Sequence, residues 1–194
     1  MNTNTENIKN VRHCRYCELH EFELNKGVIC TLTGELGEFS STCPSIKFDN
    51  ILVNKIFDVN IAVEYLKYLK PRAFLNFSMY LLVGIIVHIL NYFVTIMIFN
   101  KGFLSTLTIT IFILGMVLIG FGLGSLRFYY TKKKNILPKK KELDIIVKLY
   151  GINYNFSTKI KSDILGNEKT ESTLRLNGEF FERSDNIALL STTR

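Results

Sequence analysis

The chain has 194 residues and a formal net charge of +7, and 47% of its residues are hydrophobic, with no tryptophan. Two apolar runs, residues 74–99 and 103–127, take up over a quarter of the sequence, so the flanking segments are too short to form a large soluble core. Much of the excess positive charge lies beside these runs. Its position indicates a role in membrane orientation and in contact with anionic lipid rather than in nucleic-acid binding.

Residues 1–10 are polar, and we expect them to be disordered. They contain neither an apolar core nor a cleavage site, so they do not predict a secretory signal peptide. The apolar runs are then expected to target the chain to a membrane.

The segment 11–47 contains all four cysteines, in the pattern C-x2-C-x12-C-x12-C. The first pair has the spacing of a zinc knuckle, a tight turn that directs two thiolates at one metal ion. The residues between the cysteines predict a small β-hairpin with a turn at Asn25–Gly27. Four thiolates satisfy tetrahedral Zn²⁺, and the ion would stabilise a module too small to fold well alone. We therefore predict a structural zinc site with four ligands: Cys14, Cys17, Cys30 and Cys43.

Two alternatives to zinc remain open. Disulfides fit the even number of cysteines but need an oxidising compartment, whereas the charge distribution places this segment in the cytoplasm. Four unligated thiols are the other alternative. His13 and His20 flank the first pair and could replace a cysteine ligand, although solvent exposure or packing beside the site also accounts for them. A closed site of four thiolates leaves no position for water, which argues against metal catalysis.

The cysteine segment resembles the N-terminal module of uncharacterised small bacterial membrane proteins with two helices. In that group a CxxC pair is followed by an N-x-G-x-x-C-x-L-T stretch and a C-P dipeptide, ahead of a hydrophobic hairpin. The resemblance covers about a fifth of the chain plus the hairpin arrangement, and it implies an architecture but no activity. The matching residues here are Cys14, Cys17, Asn25, Gly27, Cys30, Leu32, Thr33, Cys43 and Pro44.

Residues 48–71 predict an amphipathic helix beside the membrane. We expect Pro71 to end this helix or to kink its passage into the first apolar run. The apolar stripe could lie on the membrane surface, form a dimer seam, or pack on the cysteine module or the C-terminal segment. Its residues are spaced at helical intervals: Leu52, Ile56, Val59, Val63 and Leu66.

Residues 74–99 and 103–127 predict two transmembrane helices. Each run is long enough, at about 1.5 Å per residue, to cross a hydrocarbon core of about 30 Å. Because the joint between them is only four residues, Phe99–Gly102, the chain must cross and return as a hairpin. Ten basic residues border the ends of the hairpin and one, Lys101, lies in the joint, so both termini are predicted to be cytoplasmic.

Polar and small residues recur on one face of the first span, at Gly84, His88, Asn91 and Thr95. We expect His88 and Asn91 to form hydrogen bonds with the second span and so to hold the hairpin together. A proton or ligand site at His88 and an oligomeric pore are the alternatives, since an ionisable group near the midplane usually faces protein or water. The second span offers Gly120 and Gly124 as a G-x-x-x-G match.

Residues 128–141 form a basic juxtamembrane segment. Beside a membrane, each such lysine stabilises docking on anionic lipid by about 1 kcal/mol. A solvated surface is the alternative, and nucleic acid is not expected because no aromatic residues interrupt the lysines. The predicted headgroup contacts are Lys132, Lys133, Lys134, Lys139, Lys140 and Lys141.

Residues 142–194 predict a small β-rich or α+β tail of three or four short strands. Asn177-Gly178 is a dipeptide typical of β-hairpins, and Gly166-Asn167 marks another turn. A unit of this size is marginal alone, so we expect it to pack on the cysteine module or on a second copy of the chain.

The sequence therefore predicts a membrane α-helical hairpin with a four-cysteine zinc-finger-like module before it and a small tail behind it. No phosphate-binding loop, zinc-protease motif, nucleophile elbow or dinucleotide fingerprint is present, so we expect no enzyme and identify no small-molecule substrate. The predicted role is a scaffold or sensor in the cytoplasmic membrane that contacts a protein partner or another copy. The alternatives are a membrane-perturbing effector that oligomerises on a cytosolic signal, and a thiolate-based redox or metal sensor.

Overall fold

The computed structural model describes residues 13–35, 42–48, 50–99, 106–162 and 168–186. The predicted disordered N-terminus, most of the predicted joint and the Gly166-Asn167 turn lie outside these ranges. In chain order the elements are β1 (His20–Glu23), β2 (Gly27–Cys30), α1 (Asn50–Phe99), α2 (Thr106–Leu149), β3 (Tyr154–Ser162), β4 (Glu168–Leu176) and β5 (Glu179–Asn186).

The chain divides into two compact units. We call Met1–Val63 together with Pro138–Arg194 the sheet unit, because it contains both β-sheets, and Glu64–Leu137 the span unit. Both unit boundaries fall inside a helix, so α1 and α2 each contribute to both units.

Both helices are long and apolar enough to cross a membrane. They have 50 and 44 residues, whereas a span needs about 20. Only 11% of the most apolar stretch of α1 is buried within the protein, and 17% of the corresponding stretch of α2. A core helix of a soluble protein would bury most of these side chains, so this exposure is that expected of a helix surrounded by lipid.

Helix α1 continues through Pro71, where the sequence predicted an end or a kink. Proline removes one backbone hydrogen bond, at a cost of about 3 kcal/mol in a helix interior. Side chains on either side of it pack on the second helix of the span unit: Leu66 and Ala73 are buried in one cluster with Tyr129. This packing stabilises helical structure both before and after the proline, which accounts for a helix that continues through it.

The cysteine segment contains the predicted hairpin. Strands β1 and β2 pair antiparallel, with Glu23 opposite Gly27 and His20 opposite Cys30. Cys30 therefore lies at the end of the second strand, where the alternation of residue types placed it.

The C-terminal region is a three-stranded antiparallel sheet of order β3-β4-β5. Strands β4 and β5 meet at Asn177-Gly178, where φ is +48° and +98°. Positive φ at both central residues defines the type I′ turn that suits the twist of a two-residue hairpin. The predicted turn is present, and the tail has three strands as predicted, but its first residues, 142–149, belong to α2.

The core of the sheet unit combines both helices and the sheet. Ile56 and Ile61 of α1, Leu143 of α2 and Leu174 of β4 each have 0% exposure. Tyr16 of the cysteine segment joins the same cluster. The apolar stripe of residues 48–71 thus packs, over its first part, on the C-terminal segment.

An ion pair closes one side of this core. The Arg183 guanidinium on β5 lies 2.9 Å from the Asp58 carboxylate on α1 and 2.7 Å from Asp185. The same guanidinium lies 6.0 Å from the ring centroid of Phe57, the buried neighbour of Asp58. Because the arginine is only partly exposed, these contacts fix the strand against the helix.

Alanine substitutions at two neighbouring isoleucines of α2 test which face of the helix belongs to this core. We expect Ile146→Ala, which truncates a side chain with 3% exposure, to lower the free energy of unfolding by about 2–5 kcal/mol. Ile145→Ala, at 57% exposure, should change it by about 0.5 kcal/mol or less. Denaturant unfolding of the two variants in detergent measures the difference, and equal losses would show that the core does not involve this face of α2.

Candidate functional site

The first cysteine pair is held by a short turn. Cys17 N–H donates to the Cys14 carbonyl at 3.0 Å, and Tyr16 N–H donates to the His13 carbonyl at 3.1 Å. Both cysteines are buried, with 8% and 7% exposure. The turn is local and follows from the two-residue spacing that the sequence shows.

The second strand and the loop after it fix Cys30. The Cys30 carbonyl accepts hydrogen bonds from Gly34 N–H at 2.8 Å and Thr33 N–H at 3.2 Å. Across the hairpin, His20 Nδ1 donates to the Cys17 carbonyl at 2.6 Å. This bond occupies one ring nitrogen of His20, and it links the strand opposite Cys30 to the first cysteine pair.

The segment 42–48 returns to the first pair. Lys47 N–H lies 3.5 Å from Cys17 Sγ, in the geometry of a backbone hydrogen bond to sulfur, and Glu18 N–H donates to the Lys47 carbonyl at 2.9 Å. A backbone donor at sulfur stabilises a thiolate. The segment therefore supports Cys17 and brings Cys43 into the same neighbourhood.

Tyr150 joins this neighbourhood from the other end of the chain. Its hydroxyl accepts Cys43 N–H at 2.9 Å and lies 3.1 Å from His13 Nδ1. Burial raises the pKa of Tyr150, the bond from Cys43 N–H opposes the rise, and the negative charges of nearby Cys43, Cys14 and Cys17 add to it. The phenol oxygen is thus bonded to the backbone of Cys43 and lies beside His13, the residue before Cys14.

The C-terminus of α2 positions Tyr150. Ile152 N–H donates to the Val147 carbonyl and Gly151 N–H to the Lys148 carbonyl, at 3.0 and 3.1 Å. With φ of +64° at Gly151, this is a Schellman motif, which needs glycine at that place. Nothing in the cysteine spacing could have indicated Tyr150, although Tyr-Gly after a long helix is a recognisable helix end.

The structure does not bring the predicted zinc ligands together as a metal site. Within the described ranges, no three side chains of His, Cys, Asp or Glu are arranged to hold a metal ion. The four cysteines are thiols rather than disulfides. Four thiolates suit zinc by their chemistry, but the structure does not show these side chains converging on a common point. The zinc site therefore stays a prediction.

One of the predicted headgroup lysines is engaged within the sheet unit. Lys140 Nζ lies 2.8 Å from Asp144 Oδ1 and also donates to the Tyr154 hydroxyl. Burial lowers the pKa of Lys140, but the bonds to Asp144 and Tyr154 outweigh burial and raise it. The ammonium group of Lys140 is thus bonded within the protein. The other five of the six predicted lysines remain candidates for lipid contact.

The polar face of the first span is directed at the second. Asn91 Nδ2 donates to the Thr108 carbonyl at 3.1 Å, and Thr95 Oγ1 donates to the Asn91 carbonyl at 2.7 Å. Asn91 is 2% exposed, and its Oδ1 has no hydrogen-bond partner among the described residues. The His88 ring lies 4.9 Å from the Phe112 ring. The bond from Asn91 to α2 is the inter-helix hydrogen bond that the sequence predicts. His88 meets α2 through its ring contact with Phe112, and the Thr95 bond lies within α1.

The glycines that let the spans approach are not the predicted pair. A Cβ at Gly84 would come within 2.6 Å of Ile119 Cγ1, and one at Gly115 within 2.8 Å of the His88 ring. A Cβ at Gly122 would lie 3.2 Å from Tyr80 Cβ and 3.3 Å from the Phe77 carbonyl oxygen. At Gly120 and Gly124 an added Cβ would meet no described atom within 4 Å, so the G-x-x-x-G pair is directed away from the partner span. The interval from Gly115 to Gly122 is two helical turns, which places both glycines on one face of α2. This spacing is the feature of the sequence that could have indicated the packed face.

No family model matches the chain, and neither a curated protein nor a solved structure matches it. The resemblance to small two-helix membrane proteins therefore stays a prediction from the motif alone.

Alanine at Gly84 tests the close approach of the spans. We expect Gly84→Ala to lower the stability of the span unit by about 1–3 kcal/mol, because the new methyl group collides with Ile119. Gly120→Ala is the matched control and should be neutral or slightly stabilising, since alanine favours helix by about 1 kcal/mol. Thermal unfolding in detergent compares them, and a similar result for both would contradict the packing at Gly84.

Proposed function

We propose that the chain is a non-enzymatic integral membrane protein that acts as a membrane-anchored scaffold or sensor. In this proposal the span unit crosses the cytoplasmic membrane twice. The sheet unit is a cytosolic head that carries a structural zinc ion and contacts a protein partner. Anionic lipid headgroups contact the lysines that flank the second span.

The observation that carries the proposal is the shared core of the sheet unit. This core contains residues that precede the first apolar run, such as Ile56, and residues that follow the second, such as Leu143 and Leu174. Segments that share one core must lie on the same side of any membrane. An even number of crossings, as in a two-span hairpin, meets this requirement.

Charge and thiol chemistry favour the cytoplasmic side. Basic residues are concentrated at the ends of the apolar runs that lead into the sheet unit, and the positive-inside rule places such ends in the cytoplasm. Reduced thiols persist there, as zinc binding by Cys14, Cys17, Cys30 and Cys43 requires. A bound zinc ion would cross-link the first turn, the hairpin and the segment 42–48.

The zinc content of the purified protein tests whether the sheet unit holds a metal ion. From protein purified in detergent under reducing, chelator-free conditions, we expect about one zinc per chain, as a site of four cysteines binds one ion. Cys30→Ser should lose most of the metal. Thr31→Ser, which changes the next residue but keeps its hydroxyl, should retain it. A parent protein without metal, whose cysteines are oxidised in cells, would contradict both the zinc site and the cytoplasmic location.

A membrane-perturbing effector is the second candidate, and the open glycines favour it. Gly120 and Gly124 are not used in packing between the two spans, so they remain available for close contact with another copy in the membrane. In this candidate function, two-span units associate on a cytosolic signal and breach the membrane.

Overexpression with a dye that reports membrane potential separates the two candidates. The effector predicts rapid depolarisation that is abolished by Gly120→Leu with Gly124→Leu, because the larger side chains prevent close contact. Met116→Leu with Val117→Leu is a control on the same helix, at positions that are also exposed. Unchanged potential together with a co-purifying protein would support the scaffold instead.

A further inference from the structure

We infer that Tyr150 is the positioning residue for Cys43, so that the fourth thiol of the proposed zinc site is held in place only while the end of α2 is docked on the cysteine segment. The inference rests on the proposed zinc site for its biological meaning. The contact itself joins two protein groups and is described in the structure.

The phenol of Tyr150 links the first and the last cysteine of the pattern. Its oxygen accepts Cys43 N–H at 2.9 Å, which leaves its own hydrogen for His13 Nδ1 at 3.1 Å. His13 immediately precedes Cys14. One side chain therefore connects two segments of the cysteine module, which also meet where Lys47 bonds to Cys17 and Glu18.

The backbone of Tyr150 is fixed by the end of α2, which belongs to the core of the sheet unit. Tyr150 N–H donates to the carbonyl of Ile146, which is buried with Val147 in the core of the sheet unit. The ring also packs edge-on against Phe48, with centroids 4.9 Å apart. The end of α2 is thus the rigid partner, and the segment that carries Cys43 is the part that is held.

Cys43 has less local support than the other cysteines. Cys14 and Cys17 share a turn and are buried, and Cys30 belongs to a strand. Among the residues that the structure describes, the Cys43 carbonyl accepts one long bond, 3.4 Å from Ile46 N, and the Cys43 N–H donates to Tyr150. Removal of the phenol oxygen should therefore release Cys43 and leave the other three in place.

Site-resolved alkylation tests this assignment in the full-length protein in detergent. Tyr150→Phe removes one oxygen and keeps the ring that packs on Phe48. We expect the alkylation rate of Cys43 to rise about five- to tenfold, the factor that corresponds to one lost hydrogen bond, with the other three rates within about twofold. Tyr154→Phe, which removes a bonded phenol oxygen elsewhere in the sheet unit, is the control and should change none of the rates.

An equal rise at all four cysteines, or no rise at Cys43, would overturn the inference. Amide hydrogen exchange of the parent protein gives a check that needs no variant: the Cys43 amide should be protected although it lies outside any strand or helix, and exchange as fast as in an exposed loop would also overturn the inference.

The zinc proposal fails separately from this one. A parent protein without metal that still shows selective release of Cys43 in Tyr150→Phe contradicts the zinc site but supports the role of Tyr150. A zinc-containing parent whose Tyr150→Phe variant behaves like Tyr154→Phe supports the zinc site and contradicts the role of Tyr150.

Discussion

One hydrophobic core holds the sheet unit together, and its residues come from both ends of the chain. Ile56 and Leu143 are fully buried in it, although the two apolar runs separate them in sequence, and Leu174 reaches it from the sheet. Burial of such side chains contributes about 1.5–3 kcal/mol each, which makes this core the dominant stabilising feature of a unit with small sheets. The docking of the cysteine segment and the position of Tyr150 depend on it, and so does the proposal that the chain crosses a membrane an even number of times.

The features that sequence predicts well are those that depend on local chemistry. Two long uncharged runs give two apolar helices, and Asn177-Gly178 gives a type I′ turn because both residues tolerate positive φ. The hairpin that ends at Cys30 follows from alternating residue types on either side of a glycine-containing turn. In each of these cases the residues that determine the structure are neighbours in the chain.

What sequence could not provide are the pairings between remote segments. The bond from Cys43 to Tyr150 spans 107 positions, and no periodicity relates the two residues. The same holds for the glycines of α2: the G-x-x-x-G pair is the visible motif, but Gly115 and Gly122 face the partner helix, whereas Gly84 lies on the face of α1 that the sequence predicts.

Pro71 was predicted to end α1 or to kink it, and the helix continues through this residue, with Leu66 and Ala73 packed on Tyr129. Charge was equally ambiguous, because Lys140 belongs to a basic run yet forms its bonds with Asp144 and Tyr154.

The shared core also determines the order of events during biosynthesis. Ribosomes release a chain from its N-terminus at about 5–20 residues per second, so the cysteine segment and the first half of the core emerge before either apolar run has been synthesised. Leu52 and Ile56 then lack most of their core partners until Leu143, Ile146 and Leu174 have been translated. The nascent N-terminal segment therefore exposes an apolar stripe while both long helices are made, and closure of the core is a late step that requires translation to reach Leu174.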